Sequence, residues 1–455
     1  MIRKVYKVLG ITFLILLGLI LFLIVISVRP VDKRPFQETE YYQKTKTTLN
    51  QTLDPLGITS ESELMVGAGK AGLTPLIGVP LAGYGARNGA PSEGVHDSLF
   101  VRVIAVQSGS QRAYLVGYDA LLLYPHIARQ LEKRLETELN IHPEHILYTA
   151  THTHSGPGGW GEGWVEEQFA GPPDSHVVPM FVDSTLAAFR RAVDFLRQAS
   201  VTSGSVQAPR FIRNRLVGEK GDVDAELVYL AFHHDNQLIA LFTTYSAHAT
   251  VLSARNMMFS GDYPGYLQRK LESEFGGIVL FAAAGLGSHS YRGEGEGFDK
   301  ARFIGEGLAD SLMVYLSSRD NHETAKLMVS QIPFYTARKQ VRLTQNLTLA
   351  PWLANLLITP HDVYVQIIAV DEFMIIGSPG EFSGELALKV KQFADTLGVN
   401  VTVTSFNGCY IGYLTPSKYY EMDEYETRLM SWFGPYTGDY LTEIMKHGIS
   451  RLFSQ

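Results

Sequence analysis

Two histidines two residues apart, His152 and His154, stand in the run Thr149-Ala150-Thr151-His152-Thr153-His154-Ser155-Gly156-Pro157-Gly158-Gly159. The run directly follows His145-Ile146-Leu147-Tyr148, which reads as a buried strand. On a strand, residues i and i+2 point to one face, so both imidazoles should project together from the strand's end. Neutral imidazole is an ordinary zinc ligand, and a second one beside the metal suits proton transfer. The expectation is therefore a zinc site with one histidine as ligand and the other facing substrate. A bare His-x-His in a chain with 14 histidines says little. The strand before it and the Gly/Pro-rich loop after it add weight.

Three other segments share the pattern of an apolar strand running into a small-residue loop with a metal-capable side chain. Leu238–Tyr245 leads to Ser246-Ala247-His248-Ala249, Glu372–Ile376 to Gly377-Ser378-Pro379-Gly380-Glu381, and Val401–Phe406 to Asn407-Gly408-Cys409-Tyr410-Ile411-Gly412-Tyr413. Strand ends suit sites because the sheet fixes the backbone while the loop approaches a ligand. Each residue alone has a plainer explanation. His248 would serve as a core histidine, Glu381 as an acid at a helix N-terminus, and Tyr413 as a packed aromatic.

The elements that must position these residues alternate along the chain. Leu99–Val106 and Arg112–Tyr118 read as strands, Pro125–Leu139 as an amphipathic helix, and Met180–Gln198 as a second helix. Glu226–His233 and Leu238–Tyr245 form a hairpin through Asp235-Asn236. Gly277–Ala283 is a further strand, and Phe382–Leu397 a helix. The expected fold class is α/β (α+β), with mixed β-sheets packed against helices in one catalytic domain and no sequence repeat dividing it. Hydrophobic content of 45% and charged content of 19% fit a sizeable core, and a net charge of −7 argues against nucleic acid as a partner. The single cysteine, Cys409, excludes an intrachain disulfide.

Residues 1–7 are a basic segment, and 8–28 an uncharged apolar run that as a helix would measure roughly 31 Å, enough to cross a bilayer. A cleaved signal peptide normally has a shorter apolar region ending in small residues, so an uncleaved signal anchor is expected. Residues 29–62 read as a membrane-proximal stalk and 63–455 as the catalytic domain. A single span followed by a large domain places that domain outside the cytoplasm, periplasmic or extracellular.

Taken together, the motifs resemble the neutral (non-lysosomal) ceramidase family. Thr151–Gly159 carries that family's His-x-His signature, Gly83-Tyr84-Gly85 and Gly94-Val95-His96-Asp97 precede it, and Asn214-Arg215, Ser260-Gly261-Asp262 and Pro379-Gly380-Glu381-Phe382 follow in order. Tyr410-Ile411-Gly412-Tyr413-Leu414-Thr415-Pro416, Tyr425-Glu426 and Phe433-Gly434-Pro435 complete the set, which spans about 65–440. The resemblance implies one zinc ion per chain held by His152, His248, Glu381 and Tyr413, with His154 beside it as proton shuttle. It also implies that Arg215 and Tyr425 orient the substrate or support the oxyanion. Ser288 stands where the family carries a serine once proposed as nucleophile. Here it lies in Ala283-Ala284-Gly285-Leu286-Gly287-Ser288-His289-Ser290, without the family's flanking Pro-Asn. A Gly-rich loop needing a small residue explains Ser288 equally well, and only the adjacent His289 could act as its base. Asn214-Arg215-Leu216 also departs from the family's Asn-Arg-Ser, which bears on the substrate pocket.

The implied activity is membrane-anchored, zinc-dependent hydrolysis of the N-acyl amide of ceramide or a related lipid amide, giving a sphingoid base and a fatty acid. The alternatives are a zinc hydrolase of another amide, ester or lactone, and an anchored binding protein without catalysis. Trp160, Trp164 and Phe169, in the loop after the motif, either form an apolar lip for lipid or pack that loop.

Overall fold

The computed structural model describes residues 2–53, 61–316 and 323–453. Three sheets carry the fold, and each ends in a parallel pair. In the first, Ser62–Gly72, Phe100–Ser108 and Gln111–Tyr118 run antiparallel, and Ile146–Ala150 joins parallel to Gln111–Tyr118. In the second, Ser200–Gln207, Glu226–His234 and Gln237–Tyr245 run antiparallel, and Ile278–Ala283 adds in parallel. The third repeats the scheme with Leu327–Pro333, Tyr364–Val370, Phe373–Gly377 and Asn400–Thr404.

Antiparallel neighbours need only a tight turn, whereas a parallel pair needs a crossover. The Asp235-Asn236 link has φ of 45° and 67°, the conformation a two-residue hairpin with right-twisted strands demands. Each parallel pair is bridged by a helix, Pro125–Leu139, Asp262–Phe275 and Gly384–Asp395 in turn. The topology thus repeats where no sequence repeat is visible. The parallel strands are buried along nearly their whole length, so their apolar residues lie on both faces. Side chains from all three sheets, among them Leu115, Leu147, Phe242, Leu280, Ile368 and Ile375, close into one of the buried clusters.

The expected stalk is not free-standing. Val28–Pro30 pairs antiparallel with Leu347–Leu349. Helix Glu40–Leu53 buries Tyr42, Thr45, Leu49 and Leu53, and Phe36, Tyr42, Leu49 and Leu53 join the main core. Residues 54–60 of the expected stalk lie outside the described residues. Ahead of this segment, Arg3–Ser27 is a helix of 25 residues, long and apolar enough to cross a membrane and without burial against the domain.

Two further boundaries differ from the sequence expectation. The second helix runs Val177–Asp194, and Arg197–Gln198 instead pairs with the edge of the first sheet. Glu381 does not open a helix: Glu381–Phe382 pairs in parallel with Tyr413–Leu414, and the helix begins at Gly384.

Candidate metal centre

The residues that follow the parallel strands meet at one end of the molecule. His152 follows Ile146–Ala150, His248 follows Gln237–Tyr245, Glu381 follows Phe373–Gly377, and Tyr413 follows Asn400–Thr404. Convergence of strand ends on a site is the general rule for sheets with parallel neighbours.

His152 and His154 come together, but not by strand pleating. The strand ends at Ala150, and His152 takes a left-handed backbone with φ 58°. For a residue other than glycine that conformation costs about 1–2 kcal/mol. It bends the chain so that Thr153 is pinned by its hydroxyl to the Ser260 carbonyl at 2.7 Å while the two imidazoles swing to the other side. Their rings lie 4.9 Å apart, and their Nε2 atoms 3.3 Å. The loop's glycines serve close approach: a Cβ on Gly158 would stand 2.4 Å from the Ala170 carbonyl oxygen and 2.6 Å from that of Pro80.

Backbone carbonyls set the two deeply buried rings. His152 Nδ1–H donates to the Leu121 carbonyl at 2.8 Å, and His248 Nδ1–H to that of Leu286 at 3.4 Å. Both Nε2 atoms are then bare lone pairs, yet they face each other at 2.9 Å. Burial holds His248 and His154 well below the ordinary imidazole range, and the neighbouring cationic groups add to this, so both stay neutral. The Glu381 Oε2 atom lies 3.6 Å from His152 Nε2 and 3.7 Å from His248 Nε2, buried and without a hydrogen-bond partner. Its other oxygen accepts the Tyr410 hydroxyl at 2.7 Å.

Three imidazoles whose ligand atoms lie within 4.8 Å of one another, together with an orphaned carboxylate oxygen, form a set that wants a cation. Ligand atoms about 2.0–2.1 Å from a tetrahedral zinc lie about 3.3–3.4 Å apart. The separations here run from 2.9 to 3.7 Å. The residues therefore fit the metal. His154 differs from the other two. Its Nδ1 faces the Gly83 backbone without a proper hydrogen bond. Ligating histidines almost always have that second nitrogen anchored.

Tyr413 stacks on His248, with centroids 6.5 Å apart and an interplanar angle of 10°. Its hydroxyl accepts a hydrogen bond from Arg215 at 3.1 Å. Burial, then the Glu381 carboxylate, hold this phenol well above its ordinary range, with Arg215 pulling the other way. Arg215 also pairs through Nε with Glu426 at 2.7 Å. Burial alone would lower the Arg215 pKa, but Tyr413, Glu426 and Glu381 raise it, so its charge is secure. Tyr425 stands at the rim, 52% exposed, with its ring 5.7 Å from that of Tyr413. All of these line a cavity of about 480 Å³, whose apolar walls include Leu121, Leu122, Phe169 and Met430. Sequence reasoning gave no role to Glu426, or to Tyr410 and the Leu121 and Leu286 carbonyls. Tyr410 and Glu426 lay within recognised motifs, whereas carbonyl partners leave no trace in residue type.

Ser288 is not brought to this cavity. It is fully buried, and its Oγ lies 2.8 Å from the Nδ1 of the adjacent His289. His289 Nε2 accepts the Asp224 amide at 3.0 Å, and burial pushes the ring's pKa down to about 4. The ring is then neutral with its proton on Nδ1, so it donates to Ser288 and cannot take a proton from it. The Gly384 amide donates to the same oxygen at 3.2 Å, leaving the Ser288 hydroxyl to donate to Ser383 at 2.9 Å. Of the expected lip, Trp160 is 1% exposed and stacks on Tyr124, while Trp164 is 69% exposed.

The chain superposes on the crystal structure of neutral ceramidase from Pseudomonas aeruginosa with a TM-score of 0.73, at 18% identity, over 86% of this chain and 75% of that one. Residues 64–285 match the family model for neutral/alkaline non-lysosomal ceramidase, N-terminal. The similarity to the neutral/alkaline ceramidase family thus takes in the segment that carries His152, His154 and His248. It is 23% identical over 335 residues to the neutral ceramidase of Drosophila melanogaster, covering 59% of this chain and 46% of that protein. To the Pseudomonas aeruginosa neutral ceramidase it is 24% identical over 253 residues, 49% of this chain and 36% of that one. The match thus spans about half the length of these relatives or less.

Proposed function

We propose that the chain hydrolyses the N-acyl amide of ceramide, or of a closely related lipid amide, to a sphingoid base and a fatty acid. The observation that carries this reading is the convergence of three imidazole Nε2 atoms and an unpartnered carboxylate oxygen in an apolar-walled cavity of a ceramidase-family fold. His152, His248, Glu381 and Tyr413 would hold one zinc ion. That ion, when bound, supplies Lewis acidity that polarises the scissile carbonyl and lowers the pKa of water.

The chain's own groups do the rest. His154, neutral and not tied down at Nδ1, accepts the proton of the attacking water and returns it to the leaving nitrogen as the C–N bond breaks. Arg215, charged and braced by Glu426, orients Tyr413 and faces the developing oxyanion. Tyr425 steers the substrate at the rim, and Leu121, Leu122, Phe169 and Met430 receive the apolar chains. The N-terminal helix acts as an uncleaved signal anchor that keeps the domain on the extracytoplasmic side of a membrane.

The test uses the purified full chain with ceramide and with ester and lactone lipids, before and after chelation. Ceramide cleavage that disappears with chelator and returns with zinc is expected. A zinc-loaded chain that cleaves esters or lactones while leaving ceramide intact overturns the substrate assignment.

A second expectation concerns Ser288. In Ser288→Ala the His289 and Gly384 N–H donors lose their acceptor, a loss of about 1–3 kcal/mol for a buried group. The variant should melt earlier yet turn over, with no acyl-enzyme accumulating in the wild type. A folded, zinc-loaded Ser288→Ala chain with no turnover would show the hydroxyl to be the nucleophile.

A further inference from the structure

The N-terminal helix is joined to the domain by a bonded junction and not by a linker. The last carbonyls of a helix have no partner within it. Here Val25 receives Arg29 at 2.7 Å, Ile26 receives the indole N–H of Trp352 at 3.0 Å, and Ser27 receives the Ala350 amide at 2.7 Å. The chain then continues into the ribbon in which Arg29 lies opposite Thr348. The helix exit and the 347–352 segment therefore form one piece.

Residues 342–343, held to that segment by the Leu343 amide on the Leu347 carbonyl at 2.9 Å, are bonded to the lip of the cavity. Arg342, buried, donates to the carbonyls of Tyr420 and Met422, and Arg428 donates to that of Leu343 at 3.5 Å. Lys33 reaches Glu421 at 3.3 Å. Residues 420–430 carry Tyr425 and lead to Met430, both of which line the cavity. Three connected elements thus run from the helix exit through the ribbon to the mouth of the site.

These elements expose large apolar side chains. Trp352 and Leu356, four apart on helix Pro351–Leu357 and hence on one face, are 49% and 76% exposed. Leu343, Leu347 and Leu429 are exposed as well. Single exposed apolar residues are ordinary, but a group continuous with a membrane-crossing helix marks a membrane contact. An indole bonded at the helix exit, with Arg29 and Lys33 beside it, matches the composition of the bilayer interface.

We propose that Leu343, Leu347, Trp352, Leu356 and Leu429 sit in the interfacial layer of the same bilayer that the N-terminal helix crosses. The Tyr425–Met430 lip then rests on the lipid surface, and the cavity takes its substrate from the adjoining leaflet. This rests on the spanning role given to the helix, not on the reaction.

The full chain is reconstituted into phosphatidylcholine vesicles with and without lipids brominated near the headgroup. Flotation reports whether the helix anchors, and tryptophan emission of the wild type minus that of Trp352→Phe isolates one of the four tryptophans. Loss of this difference emission in brominated vesicles is expected, as is quenching of the added emission in Leu429→Trp. A chain that floats with neither probe quenched overturns the proposal. Quenching of Trp352 alone overturns the part that puts the lip on the membrane. A chain that does not float refutes the anchoring and the proposal with it, and leaves the hydrolytic reading as it stood.

Discussion

Alanine at His152 or at His248 is expected to strip the chain of zinc and, with it, of activity. Both rings present bare Nε2 atoms 2.9 Å apart, each with its proton turned to a backbone carbonyl, so neither is stable there without a shared cation. Changing a residue that merely supports a ligand typically weakens metal affinity about 10–100-fold, so deleting a ligand itself should exceed that. Emission spectroscopy on the purified wild type should give one zinc per chain, and on either variant a small fraction of that. Full occupancy in both variants would falsify the ligand assignment. Burial holds the His248 imidazole well below its ordinary range, so a metal does not have to compete with protonation there at neutral pH.

The second large effect separates His154 from its neighbour. His154→Ala should keep zinc and lose turnover by about a hundredfold or more, the contribution of a positioned acid/base group. The grounds are structural: His154 is the least buried of the three rings, and its Nδ1 lacks the anchoring bond that the other two make. Gly83→Ala should have the same signature, since a Cβ at φ 110° would stand 2.6 Å from the His154 ring. Loss of zinc from His154→Ala as complete as from His152→Ala would make His154 a ligand.

Local signals were legible where local chemistry decides. The Pro125–Leu139 helix has the bounds its amphipathic pattern gives, and the Asp235-Asn236 hairpin has the positive φ angles those residue types favour. The metal-capable residues at strand ends do meet. What escaped was set by distant partners. Glu381 reads as a helix acid because the strand it pairs with begins 32 positions later, at Tyr413. The 29–62 segment reads as a stalk because Tyr42, Leu49 and Leu53 are sparse among polar residues, although they share one helix face. Ser288 and His289 face each other because a 3.0 Å bond from the Asp224 amide turns the imidazole. The left-handed His152 could not be read from a histidine in a strand-like run.

The separation of the four metal-facing side chains along the chain has a consequence for folding. His152 and His248 are 96 residues apart, and Glu381 and Tyr413 each follow a strand of the third sheet. On the proposed ligand set, a chain with any one sheet unformed lacks part of the site, so a metal would be captured only once all three have formed. Such a ligand binds the native state alone, and at a thousandfold excess over its dissociation constant it adds about 4 kcal/mol to stability. A bound ion would thereby staple together parts of the chain that no disulfide could join, in a protein whose one thiol, Cys409, is buried.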